Sequence, residues 1–590
     1  MCIGCHWANF RDYIVASSAE AGGQTAAPAP SCVAEAIAAD DGNADIVFKN
    51  GPVYTVDSAK PWAGAVAVKG KRIAYVGDES GVHTFVGPQT RVVDLAGKLL
   101  LPGFVEGHTH PLVGATVTRG VDLQFDTRQE ILEALRAYRD KIGSATVVRG
   151  FGWRYGAFPS TGPLKQDLDA IWPETPVFLI AIDAHGAWVN SKALALAGIG
   201  KGAPDPLPGF SVFQRDPTTD EPTGYLVEVP AMMRVNNAVE PFSADYVAES
   251  LAAWLPKAAE AGITTLYDAG MQVVPETEGF AIYDRLEREG RLPFRVIGSY
   301  YYNQPAIDPV PVIQALNRAF HSELVKASVL KLNIDGGEAQ RTGAFLAPYA
   351  DAPETRGDTL LPPEQFADII RRADREGLDI HIHAYGDRGA RLSLDAFEAA
   401  INANPPRDRR HTLCHLFLVN PDDLSRFAKL GVIAQFSTQW AVPDQHWRKI
   451  SQVRLGAERS NEQYRFGSIQ RAGGVLSLGA DWPAAGNHST YRPLDAIEVA
   501  TTRRELDRPD GPQLPPFDEV ITLDAALRAN TLGAAYQLRM ERDIGSIEVG
   551  KLADLVVLER NLFDVASHDI HNTKVLMTVM NGKVTHEQRA

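Results

Sequence analysis

The sequence predicts an α/β fold: a (β/α)8 TIM barrel, a small composite β-sandwich domain built from both chain ends, and an insertion after the first barrel strand. Three observations predict it. Residues 101–540 alternate strand-like and helix-like segments, the stretches on either side are β-rich, and one connection within the alternating part is too long for a simple crossover.

Taken in order, residues 1–43 hold Ala-, Gly-, Ser- and Pro-rich stretches such as SSAEAGGQTAAPAPS and read as a flexible leader. From 44 to 100, ADIVFKNGPVYTVD, AGAVAVKGKRIAYVGD and TRVVDLAGKLLL are short β-rich runs broken by Asn-Gly, Lys-Gly and Gly-Asp turns. The same texture returns within 541–590, in IGSIEVGKLADLVVLE and VLMTVMNGKVTHE, so the two ends are expected to share one domain. Between them stand eight strand candidates: LLLPGFVEGHTH, GITTLYDAG, FRVIGSYYY, ASVLKLNIDGG, LDIHIHAYGD, HTLCHLFL, GVIAQFST and GVLSLGAD. Helical patterns such as DYVAESLAAWLPKAAEAG and EQFADIIRRADREG separate several of them, the alternation of a parallel barrel. Roughly 140 residues lie between the first and second candidates, well past a usual βα connection. VVRGFGWRYG and TPVFLIAIDAHGAWVNSKALALAGI lie there, so about 120–245 are expected to form a subdomain over the barrel mouth.

Bulk properties exclude several classes. A net charge of −15 on 590 residues disfavours nucleic acid or an anionic membrane as partner. No apolar run of about 18 residues occurs, so a membrane span is not expected. Four cysteines in so long a chain point to a reducing, cytoplasmic compartment. Cys2-Ile-Gly-Cys5-His6 matches the haem-attachment pattern, but attachment needs export and MCIGCHWANFRDYIV does not read as a secretory signal.

The chemistry begins in LLLPGFVEGHTH. Residues two apart on a strand share a face, so His108 and His110 can present two imidazoles to one metal ion. Later strand candidates end in further polar residues: Lys331 on the fourth, His383 on the fifth, His415 on the sixth and Asp481 on the eighth. C-terminal strand ends are where a barrel enzyme carries its site. Four histidines, a lysine and an aspartate there could hold one or two divalent ions, with Zn2+ the best match to imidazole and carboxylate donors. A lysine ammonium is a poor ligand, whereas a lysine beside two cations can react with CO2 and bridge them as a carbamate. Lys331 could instead pair with Asp335 as a buried ion pair, and Asp481 could cap the next helix. His381 shares the His383 face and is assigned a supporting or substrate-binding role. Trp153 and Tyr155 in FGWRYG, with Trp440 and Trp482, could form an aromatic wall, although aromatics also fill cores. Arg341 could meet a substrate carboxylate or remain solvated.

These stretches resemble the metal-dependent amidohydrolase superfamily, specifically its amidohydrolase-3 branch of YtcJ-like and N-substituted formamide deformylase-like proteins. The resemblance runs in family order through LPGFVEGHTH, DAHGAWVNSKALALAGI, EPTGYLVE, AGITTLYDAG, LKLNIDGG, HIHAYGDRG, HTLCHLFLVNPDDLSRFAKLGVIAQFS, SLGADWP and IGSIEVGKLADLVVLE. It implies that His108, His110, His383 and His415 are metal ligands, that Lys331 is the lysine carboxylated in binuclear members, and that Asp481 is both ligand and proton shuttle. It also places His185 near the substrate, where a loop-stabilising hydrogen bond is the plainer role. Cys414 departs from the pattern, since related sequences commonly carry glutamate before that histidine.

The mechanism implied is metal-assisted hydrolysis of a carbon–nitrogen bond. The metal activates water and polarises a carbonyl, while Asp481 takes a proton and returns it to the leaving amine. Related proteins suggest N-substituted formamides, N-acyl amines or N-acyl amino acids as the small-molecule substrate, and a homodimer. An ester, carbamate or cyclic amide on the same scaffold is the alternative. A regulatory protein without turnover is the reading from another class, and the filled ligand set argues against it.

Overall fold

The computed structural model describes residues 42–588 apart from 144, 160, 207–210, 305, 340 and 486–487. The expected leader, but for its last two residues, lies outside the described residues, as do Cys2 and Cys5. The eight expected strands form one parallel sheet: β1 (Phe104–Thr109), β2 (Ile263–Asp268), β3 (Arg295–Tyr301), β4 (Val325–Asn333), β5 (Asp379–Ala384), β6 (Thr412–His415), β7 (Ile433–Phe436) and β8 (Leu476–Leu478). They follow one another around the sheet in chain order, the arrangement of a (β/α)8 barrel. The seam between β8 and β1 is close: the Asp481 N–H donates to the His108 carbonyl at 2.7 Å. A Cβ on Gly479 would lie 2.2 Å from the His108 backbone nitrogen, so glycine is what permits this approach.

The outer helices form for ordinary reasons. Pro363–Arg375 opens with Pro at its first position and buries Phe366, Ile369, Ile370 and Ala373, an apolar stripe at helical spacing facing the sheet. On β5 the period is two: Ile380 and Ile382 join the helix-facing core, leaving His381 and His383 for the barrel interior.

Between β1 and β2 the chain builds a separate six-stranded sheet, its strands running from Val121–Asp122 to Pro222–Val227. Its Phe151, Ile180 and Leu226 share a core with Val113 and Val117, which follow β1, and with Ala484 after β8. The insertion therefore sits against the C-terminal ends of the barrel strands. At the other end, Leu99–Pro102 pairs antiparallel with Leu555–Leu558, so the two ends of the chain meet in one sheet. Arg295 at the start of β3 is buried against Asp554 and Asn581 of that sheet region. Among the described residues no helix is long and apolar enough to cross a membrane.

Candidate metal centre

The strand ends bring His108, His110, Lys331, His383, His415 and Asp481 together, each fully buried. His108 Nε2 and His110 Nε2 lie 3.2 and 3.3 Å from Asp481 Oδ1, and His415 Nδ1 lies 3.8 Å from Oδ2. Two of these residues take a backbone conformation that non-glycine residues rarely adopt: His415 has φ +73° and Asp481 φ +52°. At β6 this matters. Strict alternation would send Cys414 and His415 to opposite faces. With His415 left-handed, both face inward: Cys414 Sγ is 3.2 Å from Lys331 Nζ, and the His415 ring centroid is 4.5 Å from that of His383. Residues held in such conformations cluster at functional sites, where surrounding structure holds them.

The donors fit a divalent ion. His110 Nδ1 lies 3.1 Å from the Gly270 carbonyl and His383 Nε2 lies 3.2 Å from that of Gly336. Each carbonyl holds one ring nitrogen as an N–H donor and leaves the other with a lone pair, the usual orientation of a ligating histidine. His415 has both ring nitrogens buried without a hydrogen-bond partner among the described residues, costly for a polar ring unless a ligand completes it. One ligand atom from each of His108, His415 and Asp481 lies within 4.8 Å of the others, and the same holds for His108, His381 and Cys414. Burial works against charging His108, but Cys414 and Asp481 outweigh it and hold its imidazole well above the ordinary range. Burial drives His381 down to about 3, so that ring is neutral.

The remaining expected residues separate. His381 stands beneath His108, its Nε2 3.0 Å from His108 Nδ1. Asp335, weighed as a partner for Lys331, accepts backbone N–H bonds from Ala344, Tyr385 and Gly386 at 2.8–2.9 Å. Trp440 stacks on His415. His185 pairs with Glu228 at 3.0 Å in the wall of a 620 Å³ cavity under the insertion. Trp153 is fully buried, donates to the Leu179 carbonyl at 3.0 Å and backs that same cavity from within the insertion core. Arg341 is not brought to the centre: its guanidinium pairs with Asp351 at 2.7 Å, ten residues along the same loop.

A second cavity of 540 Å³ is lined by Trp440, Tyr385, Phe417 and Tyr464, and His446 stands in the wall common to both cavities. His446 Nε2 lies 2.6 Å from Oε1 of the fully buried Glu338. Burial alone would raise the Glu338 carboxyl, but His446 outweighs it and pulls it down to about 2. Sequence reasoning missed this pair. A glutamate directly after the two glycines that close ASVLKLNIDGG was the available signal.

A family model described as the amidohydrolase family matches residues 91–586. The chain is 30% identical over 559 residues to the Arabidopsis thaliana protein LONG AFTER FAR-RED 3, covering 92% of this chain and 91% of that protein. It is 28% identical over 559 residues to an N-substituted formamide deformylase of Arthrobacter pascens, covering 92% and 98%. Among solved structures, an uncharacterized metal-dependent hydrolase from Pyrococcus furiosus superposes with a TM-score of 0.66 at 24% identity, covering 88% of this chain and 99% of that one. At that identity the likeness is one of fold.

Proposed function

The chain belongs to the amidohydrolase family, hydrolases of carbon–nitrogen bonds, and from that premise we propose that it is a metal-dependent hydrolase cleaving an amide-type bond of a small molecule. The observation that carries this reading is the Asp481 carboxylate, approached by His108 and His110 on one oxygen and His415 on the other. In this reading His108, His110, His383, His415 and Asp481 hold one or two divalent ions, with Zn2+ the best match to the donor types. When bound, such an ion supplies Lewis acidity, lowering the pKa of a water and polarising a carbonyl.

The chain's own residues do the rest. Asp481 accepts the proton of the attacking water on a carboxylate oxygen and returns it to the departing nitrogen, so one group serves as base and then acid. The Gly270 and Gly336 carbonyls keep His110 and His383 in fixed tautomers. Trp440, Tyr385 and Phe417 form an apolar wall beside the donors. Both cavities have the volume of a small-molecule site. The aromatic lining and the likeness to a formamide deformylase favour an N-substituted formamide or N-acyl amine bearing an apolar group.

The test is turnover by the zinc-loaded protein on N-substituted formamides, N-acyl amino acids and matched esters. Asp481→Asn should keep the fold and lose about 10²–10⁴-fold in kcat. No hydrolysis of any amide by the metal-loaded chain, or an equally active Asp481→Asn, would overturn the assignment.

A further inference from the structure

Beneath the donor set lies a second tier of side chains that the proposed hydrolysis does not use. The β4–β5 register sets Lys331 beside His381, and Cys414 stands on neighbouring β6. Lys331 Nζ donates to Cys414 Sγ at 3.2 Å, and Sγ lies 3.3 Å from the Ile382 carbonyl oxygen. One tier up, His381 Nε2 and His108 Nδ1 are 3.0 Å apart. Lys331, Cys414, His381 and His108 are each 1% exposed or less. The Tyr267 ring closes the flank, 4.7 Å from His381 and edge-on to His108 at 6.1 Å.

The order of protons along this tier follows from the metal. If His108 gives its Nε2 lone pair to an ion, its Nδ1 must carry the proton and donate it to His381 Nε2. His381 then carries its own proton on Nδ1, and the side chain beside it is Cys414, whose Sγ lies within 4.8 Å of a His381 ring nitrogen. Lys331 holds that sulfur from the other side. A carboxylated Lys331 would need room on Nζ where the Cys414 sulfur already stands, 3.2 Å away.

We propose that in this chain Lys331 is not a metal-bridging carbamate: Lys331 and Cys414 form the base of a hydrogen-bonded tier that, through His381, fixes the tautomer and tilt of His108. The inference rests on His108 being a metal ligand, and Lys331, Cys414 and His381 are positioning residues.

The experiment measures zinc affinity by competition with a chromophoric chelator, on full-length protein, alongside the melting temperature of each metal-free form. Cys414→Ala and His381→Ala should bind zinc about 10–100-fold more weakly at unchanged metal-free stability. Cys414→Ser, which keeps an acceptor for Lys331 and His381, should recover most of the affinity. Wild-type affinity in Cys414→Ala would overturn the proposal. Two readouts decide it even if that variant fails to fold. Zinc-loaded protein in ¹³C-bicarbonate should show no carbamate carbon by NMR, and a signal lost in Lys331→Arg would overturn the proposal. Cobalt(II)-loaded protein carrying Cys2→Ser, Cys5→Ser and Cys32→Ser should show no thiolate-to-cobalt charge-transfer band; such a band would make Cys414 a ligand and overturn it as well. A wild-type chain that binds no metal would instead bring down the metal-centre reading, and this inference with it.

Discussion

The Trp440 indole lies parallel to the His415 imidazole, ring centroids 5.6 Å apart and planes 7° apart. Its other side faces the 540 Å³ cavity, so one half-buried ring stands between that space and a histidine of the donor set. A substrate aryl group stacked on the cavity side of that ring would gain about 0.5–1.5 kcal/mol beyond its buried area. Trp440→Ala should therefore lower kcat/KM for aryl amides by roughly three- to tenfold or more, with Trp440→Phe retaining most of it. Identical kcat/KM for the alanine variant would remove Trp440 from the substrate wall.

Metal removal should be visible in stability before activity is measured. The donors are buried and drawn together, so an ion that binds only the folded chain adds about 2.7 kcal/mol at a hundred times its Kd. Chelation should lower the melting temperature, and added Zn2+ should restore it. Asp481→Asn should show a smaller zinc-dependent rise. A melting temperature indifferent to chelator and zinc in the wild type would mean that these residues hold no ion.

Much of the site was legible because it is written in short-range order. His108 and His110 sit two apart after an apolar run, and His383, His415 and Asp481 end later strands, so strand period and chain order suffice to bring them to one barrel mouth. The inward turn of Cys414 was not legible. It follows from the left-handed φ of His415, and nothing in HTLCHLF announces that conformation. Glu338 and His446 come from loops 108 residues apart, where no periodicity links partners. FGWRYG leaves a substrate wall and core filling both open, and Trp153 is fully buried and packs edge-on against Phe158, because the insertion has a core of its own to fill. Arg341 is neutralised within its own loop by Asp351, a local pairing that composition cannot separate from a substrate-facing arginine.

The Glu338–His446 pair should give stability a defined pH dependence. The Glu338 carboxyl is held at about 2 against an ordinary 4.5, because His446 outweighs the burial that alone would raise it. A depressed carboxyl contributes stability above its unfolded pKa and loses it as pH falls through the folded one. For His446 burial works against the charge, but Glu338 raises its pKa above 6.5, so its share is present below 6.5 and lost as pH climbs past the raised value. The two windows overlap between pH 4.5 and 6.5. Glu338→Gln should cost most there, about 3 kcal/mol, and the gap from wild type should close as pH falls towards 2. Melting curves at pH 3 and pH 6 check this, and a gap that is equal at both would exclude the ion pair as its origin.

The last prediction concerns the face opposite the site. Arg295 opens β3 at the N-terminal end of the barrel and is buried against Asp554, its Nη2 donating to Asp554 Oδ1 at 3.1 Å. Asp554 also accepts the Asn581 N–H at 3.0 Å, and its carbonyl accepts that of Gly103 at 2.9 Å, so one residue joins the end sheet to β3 and to the approach to β1. Asp554→Ala would leave a guanidinium buried without its counter-charge, a loss of about 3–5 kcal/mol. Replacing both partners with apolar residues of similar volume, Arg295→Met with Asp554→Leu, should recover much of that, because the desolvation cost leaves with the charge. The pair lies at the end of the barrel away from Asp481, so kcat of the folded fraction should be unchanged in every variant. A fall in kcat at full folding would instead couple the end sheet to the metal centre.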